Sequence, residues 1–154
     1  MGNEFSHINN EGKALMVDVS LKEVSKREAT AIGCVFLKRE TIDLIENKAI
    51  PKGDIFSCAR IAGIMAAKKT SEIIPLCHPL PIEGIEVDFE IDKMKNCIII
   101  KAKTLTTGKT GVEMEALTAV SGSCLCIYDM CKAVDKEMVI GEIRLINKKK
   151  CGVK

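Results

Sequence analysis

The segment from Ile85 to Ile91 constrains the fold more than any other part of the chain, because its apolar and acidic residues alternate without a break. Strict alternation is the pattern of a strand with one buried face and one exposed face. A turn at Asp92–Asn96 follows, and Cys97–Thr104 then fits the antiparallel partner strand. We therefore expect a β-hairpin in the middle of the sequence.

The other predicted elements frame this hairpin. We expect strands at Ala29–Leu37 and Met138–Ile146, a short extended piece at Met16–Val19, and helices at Glu40–Asn47, Ile55–Lys69 and Val112–Val134. The segment Ile74–Pro81 carries three prolines and is predicted to be irregular. This order of elements predicts an α+β fold, a ferredoxin-like antiparallel sheet with helices packed on one face.

A chain of 154 residues is long enough to bury a substantial core as one domain. We place a flexible N-terminal arm at residues 1–14, a single catalytic domain at 15–148 and a Lys-rich tail at 149–154. The formal net charge of +2 creates no global field toward nucleic acid or membrane. The N-terminus lacks the apolar region of a signal peptide and no apolar run is long enough to span a bilayer, so we expect a cytoplasmic protein.

The eight cysteines are scattered, and none of them forms a C-x-x-C pair. Zinc sites usually show such closely spaced pairs. Cys124 and Cys126 are the nearest to each other, but on a helix their side chains point apart. Most of the cysteines stand among apolar neighbours, so we interpret them as small buried hydrophobic residues. Metal binding and disulfide formation are the alternatives, and the sequence leaves the redox state open.

Two short motifs suggest binding of phosphate or transfer of protons. Lys52 precedes Gly53 and a predicted N-cap, Asp54, at a helix start, where free N–H groups favour anions. An ordinary solvated turn lysine is the alternative. His78 stands in the proline-rich segment, where the residue before a proline is held extended. Its imidazole is a candidate phosphate donor or acid–base group, and a structural histidine is the alternative.

The loop Gly108–Gly111 contains a Gly-Lys-Thr sequence like the end of a Walker A loop. That motif requires a glycine five positions before Gly108, where this chain has Lys103, so the phosphate-loop interpretation fails. Glu113 and Glu115 follow in the first turn of the long helix, where carboxylates are favoured electrostatically. The functional alternative is that one of them binds the N–H edge of a guanine-like or pterin-like ring.

Asp129 and Lys132 lie late in the long helix and share one face, because they are three positions apart. A surface ion pair is the simplest interpretation. However, the helix is otherwise apolar or small-residued from Ala116 to Ile127, which indicates burial. We therefore expect these charges to line a cleft or an interface, in an acid–base arrangement.

Four blocks of the sequence resemble the MoaC family of molybdenum cofactor biosynthesis: HINNEGKALMVDVSLKEVSKREATA, KGDIFSCARIAGIMAAKKTSEIIPLCHPL, TGKTGVEMEALTAVSG and YDMCKAVDKEMVIGEIRL. The resemblance covers essentially the whole chain. It implies a lyase that converts 3′,8-cyclo-7,8-dihydro-GTP to cyclic pyranopterin monophosphate and releases pyrophosphate. It also implies that no cofactor is required, with Mg²⁺ possible on the substrate triphosphate.

The resemblance further implies the assembly and the site residues. Members of the family resemble a homohexamer, a trimer of dimers with the active site at the dimer interface. Asp129 takes the position of the active-site aspartate, and Lys52 and Lys132 those of the catalytic lysines. The positions that match substrate-binding residues or peripheral cations are Leu76, Cys77, His78, Glu113, Met114, Glu115, Arg27 and Lys148. No protein-bound metal is implied.

Two other functions compete with this one. A non-catalytic ligand-binding or regulatory domain would bind a purine nucleotide without turnover. An RNA-binding module of ferredoxin-like shape is disfavoured, because Cys97–Thr104 has no aromatic residue on which bases could stack. The residues do not decide which lysine is the acid and which the base, nor the order of the ring and phosphate steps.

Overall fold

The structure, a computed structural model, describes residues 7–9 and 11–152. Its elements are β1 (Ser25–Phe36), α1 (Arg39–Glu46), α2 (Ile55–Lys68), α3 (Thr70–Ile73), β2 (Ile82–Asp92), β3 (Cys97–Gly108), α4 (Glu113–Cys131) and β4 (Val139–Gly152). The strands form one antiparallel sheet in the order β2-β3-β1-β4. The predicted α+β class is confirmed, and nothing in the order of elements conflicts with the ferredoxin-like detail.

The predicted hairpin is confirmed as β2 and β3, which pair from Ile82↔Thr106 to Asp92↔Cys97. The alternation in β2 buries Val87, which is only 3% exposed, and turns Asp88 to the opposite face. There Asp88 lies opposite Lys101. Such cross-strand pairs of unlike charge stabilise the register. A slip by one residue is also disfavoured, because it would expose the apolar face.

The helices α2 and α4 pack on one face of the sheet and run antiparallel, since Cys58 contacts Cys126 while Gly63 contacts Ala119. Two glycines allow the close approach. A Cβ atom on Gly122 would lie 2.6 Å from the Ala66 Cβ, and one on Gly63 would lie 2.9 Å from the Ala119 carbonyl oxygen. The largest wholly buried side chains between these layers include Ile98, Ile100, Val120 and Ile127.

The structure differs from the sequence-based prediction in several places. β1 begins at Ser25, before the predicted Ala29, and β3 continues past Thr104 to Gly108. Residues Met16–Val19 form no strand, and the short helix α3 was not predicted. Met65, one of the apolar residues that recur at helical spacing in α2, is 54% exposed. β4 continues past Ile146 to Gly152, because Lys148–Cys151 pair with Ala29–Lys26 of β1. The backbone of β1 provides the pairing, so a lysine-rich sequence extends as an edge strand.

Part of the predicted N-terminal arm lies outside the described residues, namely residues 1–6 and 10. The described part closes a small turn in which Ile8 pairs with Ala14. The side chain of Asn9 accepts hydrogen bonds from the backbone N–H groups of Glu11 and Lys13. The proposed division into arm, domain and tail remains a prediction. Among the described residues, no helix combines the length and apolarity that crossing a bilayer would require.

Candidate active site

Lys52, Asp129 and Lys132 meet at the C-terminal end of α4, and we refer to them as the lysine cluster. One carboxylate oxygen of Asp129 accepts a hydrogen bond from the Lys52 Nζ at 2.8 Å, and the other accepts one from the Lys132 Nζ at 2.6 Å. The Lys52 ammonium also donates to the Asp129 carbonyl oxygen at 2.8 Å. Ammonium groups suit this end of a helix, where unpaired carbonyls carry negative potential.

The electrostatics of the lysine cluster fix its charge state. Hydrogen bonds from Lys132 and then Lys52 lower the pKa of Asp129 to about 2. The same interaction with Asp129 raises the pKa of Lys132. Asp129 is therefore a carboxylate and Lys132 an ammonium at neutral pH. The side chains are roughly half exposed, so the ion pairs add little stability but remain open to an anionic ligand.

The chain segments on both sides hold the lysine cluster in place. The carboxylate of Asp54 caps α2 by accepting from the Ser57 backbone N–H at 3.1 Å, as the sequence predicts. Gly53, with φ +97°, makes the turn that brings Lys52 toward α4. Beyond α4, the buried carboxylate of Asp135 accepts from the Lys38 N–H at 2.8 Å and from the Thr41 hydroxyl at 3.1 Å.

Asp135 is a supporting residue that the sequence reasoning missed. It is 1% exposed, and it also accepts from the Glu137 backbone N–H at 3.0 Å. These bonds tie the segment after Lys132 to the start of α1. A single aspartate between valine and lysine carries no periodic signal, so only the structure reveals its role.

A cavity of about 270 Å³, which we call the His78 cavity, lies at the other end of α4. Three segments contribute to it: the N-terminal segment, the proline-rich segment and the start of α4. Its lining residues are His7, Val17, Val19, Lys22, Leu76, Cys77, His78, Leu80, Thr110, Gly111, Met114 and Glu115. The structure thus brings five of the predicted binding residues together here, namely Leu76, Cys77, His78, Met114 and Glu115.

His78 uses one ring nitrogen to hold the wall of its cavity. Its Nε2 lies 2.8 Å from the Val17 carbonyl oxygen. A carbonyl oxygen only accepts, so Nε2 carries the hydrogen and Nδ1 is left for a ligand. The Lys109 Nζ similarly donates to the Ser20 carbonyl oxygen at 2.6 Å. Lys109 was not among the predicted residues, because in sequence it belongs to the rejected Walker-like loop.

Glu115 is a buried carboxyl group in the His78 cavity. It is 3% exposed, and burial raises its pKa, with a further contribution from the like charge of Glu113. The neighbouring Cys77 also has a raised pKa, first because of burial and then because of Glu115. A carboxyl group with a raised pKa on a cavity wall is a candidate for proton transfer.

A second cavity, of about 280 Å³, adjoins the first at Gly111, and we call it the Lys148 cavity. It contains the predicted cations Arg27 and Lys148 together with Glu113. The Glu113 carboxylate accepts from the Lys148 Nζ at 3.2 Å. Arg27 donates to the Lys109 carbonyl oxygen at 3.4 Å, while its buried Nε has no hydrogen-bond partner among the described residues. The cations match a site for phosphate groups.

The predicted residues therefore form two groups in one chain. Glu115 and Asp129 are 14 positions apart on α4, which corresponds to about 21 Å at the helical rise of 1.5 Å per residue. The His78 and Lys148 cavities lie near the start of the helix, and the lysine cluster lies at its end. Groups that act on the same substrate atoms must lie within hydrogen-bond reach of them. One chain does not bring the two groups that close.

The eight cysteines only partly match the prediction that they are small buried hydrophobic residues. Cys34, Cys97, Cys124 and Cys131 are buried. Cys77 and Cys126 are partly exposed, and Cys58 and Cys151 are exposed. Across residues 7–9 and 11–152, no three histidine, cysteine or acidic side chains are grouped as metal ligands would be.

The fold and these sites define an α+β protein whose cavities and exposed ammonium groups suit an anionic small molecule. The sequence profile of the MoaC family matches residues 16–151, and the chain belongs to this family. The resemblance seen in the sequence motifs is thus confirmed.

Relatives named cyclic pyranopterin monophosphate synthase are similar to the chain over nearly its full length. That of Pelotomaculum thermopropionicum is 56% identical over 143 residues, which is 93% of this chain and 84% of the relative. That of Clostridium perfringens (strain SM101 / Type A) is 56% identical over 148 residues, or 96% and 94%. That of Heliobacterium modesticaldum is 53% identical over 143 residues, or 93% and 90%.

Proposed function

We propose that this chain is a cyclic pyranopterin monophosphate synthase, a lyase of molybdenum cofactor biosynthesis. It converts 3′,8-cyclo-7,8-dihydro-GTP to cyclic pyranopterin monophosphate and releases pyrophosphate. The observation that carries the proposal is the Asp129 carboxylate, which holds Lys52 and Lys132 at 2.8 Å and 2.6 Å in a chain of the MoaC family.

The lysine cluster supplies positive charge and charged hydrogen-bond donors. A departing diphosphate develops negative charge, which preorganised cations stabilise. Asp129 orients both ammonium groups. Because the pKa of Lys132 is raised, this residue stays an ammonium and serves as a charged hydrogen-bond donor to the leaving diphosphate. Asp129 is an orienting carboxylate and not a proton donor, since its pKa is lowered to about 2.

The His78 cavity accepts the guanine-derived ring, and the Lys148 cavity accepts phosphates. Val17, Val19 and Met114 give the first cavity apolar walls. Glu115 is the acid–base group beside the ring, because its raised pKa brings it nearer to neutrality than an ordinary glutamate. Arg27 and Lys148 lie in the adjoining cavity, where a ribose-linked phosphate chain would reach them.

The separation of the two groups supports an active site shared between chains. In a dimer with two-fold symmetry, each chain brings its lysine cluster to the His78 cavity of its partner, so that two complete sites form. We propose such a dimer as the unit of a homohexamer, a trimer of dimers. A cytoplasmic location, the absence of a required cofactor and Mg²⁺ carried by the substrate triphosphate belong to the same proposal.

A direct assay tests the reaction. The purified protein is incubated with 3′,8-cyclo-7,8-dihydro-GTP, and the release of pyrophosphate and the formation of the pyranopterin are followed by mass spectrometry. We expect one pyrophosphate for each pyranopterin. Binding of the substrate without release of pyrophosphate would contradict the proposal and favour a non-catalytic ligand-binding domain.

A further inference from the structure

Cys58 and Cys126 form a pair of thiols to which the proposed reaction gives no role. Cys58 lies in α2 and is exposed, and Cys126 lies in α4 and is partly exposed. The Cys126 thiol donates to the Cys58 sulfur, and the two Sγ atoms are 3.4 Å apart. The two residues are distant in sequence, so the contact exists only because the helices pack against each other.

The packing of α2 on α4 keeps the two sulfur atoms close. The Ser123 hydroxyl donates to the Ala59 carbonyl oxygen at 3.0 Å, directly beside the thiol pair. Farther along, Gly122 lets the helices approach until a Cβ there would contact Ala66. A disulfide has an S–S distance near 2.05 Å, which leaves about 1.3 Å to close. The proposal requires side-chain rotation to close this gap while the helices stay packed.

The two thiols have different environments, which sets an order of reaction. Burial, followed by the hydrogen bond to Cys58, raises the pKa of Cys126 to about 12. Cys126 therefore remains a protonated thiol, while Cys58 is exposed to oxidants in solution. An accessible cysteine with a second thiol poised beside it is the arrangement of a thiol pair that closes into a disulfide.

We propose that Cys58 and Cys126 are a modification site, at which a hydroperoxide forms a reversible disulfide that links α2 to α4. The Cys58 sulfur attacks the O–O bond, gains one oxygen as a sulfenic acid and releases the alcohol. The Cys126 sulfur then attacks the Cys58 sulfur as its proton passes to the departing hydroxyl group, and water leaves as the S–S bond forms. In sum, two thiols lose two electrons and two protons, and the hydroperoxide becomes one alcohol and one water.

The disulfide would join the two segments that bear the lysine cluster. Lys52 lies just before α2, and Asp129 lies one helical turn after Cys126. The proposal rests on the geometry of the two sulfur atoms and not on the proposed reaction. Its test requires no substrate, so its failure and the failure of the proposed function are separate results.

The test uses the full chain, reduced and then treated with tert-butyl hydroperoxide. Peptide mapping without reduction should show Cys58 joined to Cys126 within one chain, with a mass lower by two hydrogens, and dithiothreitol should reverse the change. The Tm of the oxidised protein should exceed that of the reduced protein, because the link restricts the unfolded chain. Non-reducing gels should show no covalent dimer.

Single variants make the test specific. Cys58→Ser and Cys126→Ser should each abolish both the link and the rise in Tm. Cys151→Ser, which removes an exposed cysteine of β4, should leave both unchanged. The proposal is overturned if the thiols stay reduced, if Cys58 is oxidised to a sulfinic acid without a link, or if the disulfides that form join other cysteines.

Discussion

In the proposed reaction, Asp129 is the residue on which the chemistry depends most, because it orients the ammonium groups of both Lys52 and Lys132. Each of its carboxylate oxygens accepts from a different lysine. The two lysines lower the folded-state pKa of Asp129 to about 2, so its ion pairs stabilise the fold slightly. This stabilisation is present above the unfolded pKa of 3.8 and is lost as the pH falls toward 2. Near neutrality the role of the residue is therefore electrostatic orientation.

We predict that Asp129→Asn lowers turnover by about 10²- to 10³-fold, the range for loss of one preorganised electrostatic group. The amide keeps the shape but holds neither ammonium group by charge. Stability should change little, since the side chain is exposed. Steady-state rates and thermal unfolding measure both effects. Asp88→Asn, on the far face of the sheet, is the matched control. Near-wild-type turnover of Asp129→Asn would exclude the residue from the chemistry.

Glu115 should make the folded protein less stable as the pH rises. Burial raises the folded-state pKa of Glu115. Above the unfolded pKa of 4.5, ionising this group therefore costs more free energy in the folded protein than in the unfolded chain. Glu115→Gln should therefore raise the Tm near pH 7 by roughly 2–4 °C, as about 1 kcal/mol does in a chain of this size. The gain should shrink toward pH 4. Thermal unfolding across this pH range checks the prediction, with exposed Glu86→Gln as control. A pH-independent effect would contradict it.

At the scale of the elements, the contact between α2 and α4 sets the position of both ends of the site. A Cβ on Gly63 would lie 2.9 Å from the Ala119 carbonyl oxygen and still closer to the Ser123 hydroxyl. We predict that Gly63→Ala destabilises the fold by about 1–3 kcal/mol through overpacking. Chemical denaturation measures the change in the free energy of unfolding.

Gly141→Ala is the matched control for this prediction. A Cβ there would meet Phe36 at 3.5 Å, which is ordinary van der Waals contact. Its effect should stay within about 0.5 kcal/mol. Equal effects of the two substitutions would show that the helix contact is not the tight point of the fold.

The sequence predicted the elements whose pattern is local and strict. The hairpin follows from alternation in Ile85–Ile91, and the start of α2 follows from the capping aspartate Asp54. The end of β4 was missed, since its pairing depends on β1 and not on its own lysines. The exposure of Met65 was also missed, because helical spacing shows that a face is apolar but not what covers it.

The site was predicted as a set of residues but not as an arrangement. Motif positions selected Lys52, His78, Glu115 and Asp129 as candidates, while the contacts of Asp135 and Lys109 depend on long-range packing that no spacing reveals. Likewise, the hydrogen bond from His78 to Val17 joins segments far apart in the chain. Sequence spacing could not show that the predicted residues form two groups in one chain.

At the scale of the whole molecule, the central claim is that two chains complete each active site. The lysine cluster and the His78 cavity are about 21 Å apart along α4. The claim implies that a chain defective in one group can be rescued by a chain defective in the other. An active site within one chain allows no such rescue.

The most direct measurement is therefore the activity of two inactive variants assembled together. Asp129→Asn and His78→Ala are purified separately and also co-expressed in equal amounts, and pyrophosphate release is measured for each preparation. If dimers form at random, half combine the two variants and each of those contains one intact site, so about a quarter of the wild-type rate should return. A mixture as inactive as its separate components would contradict the shared active site.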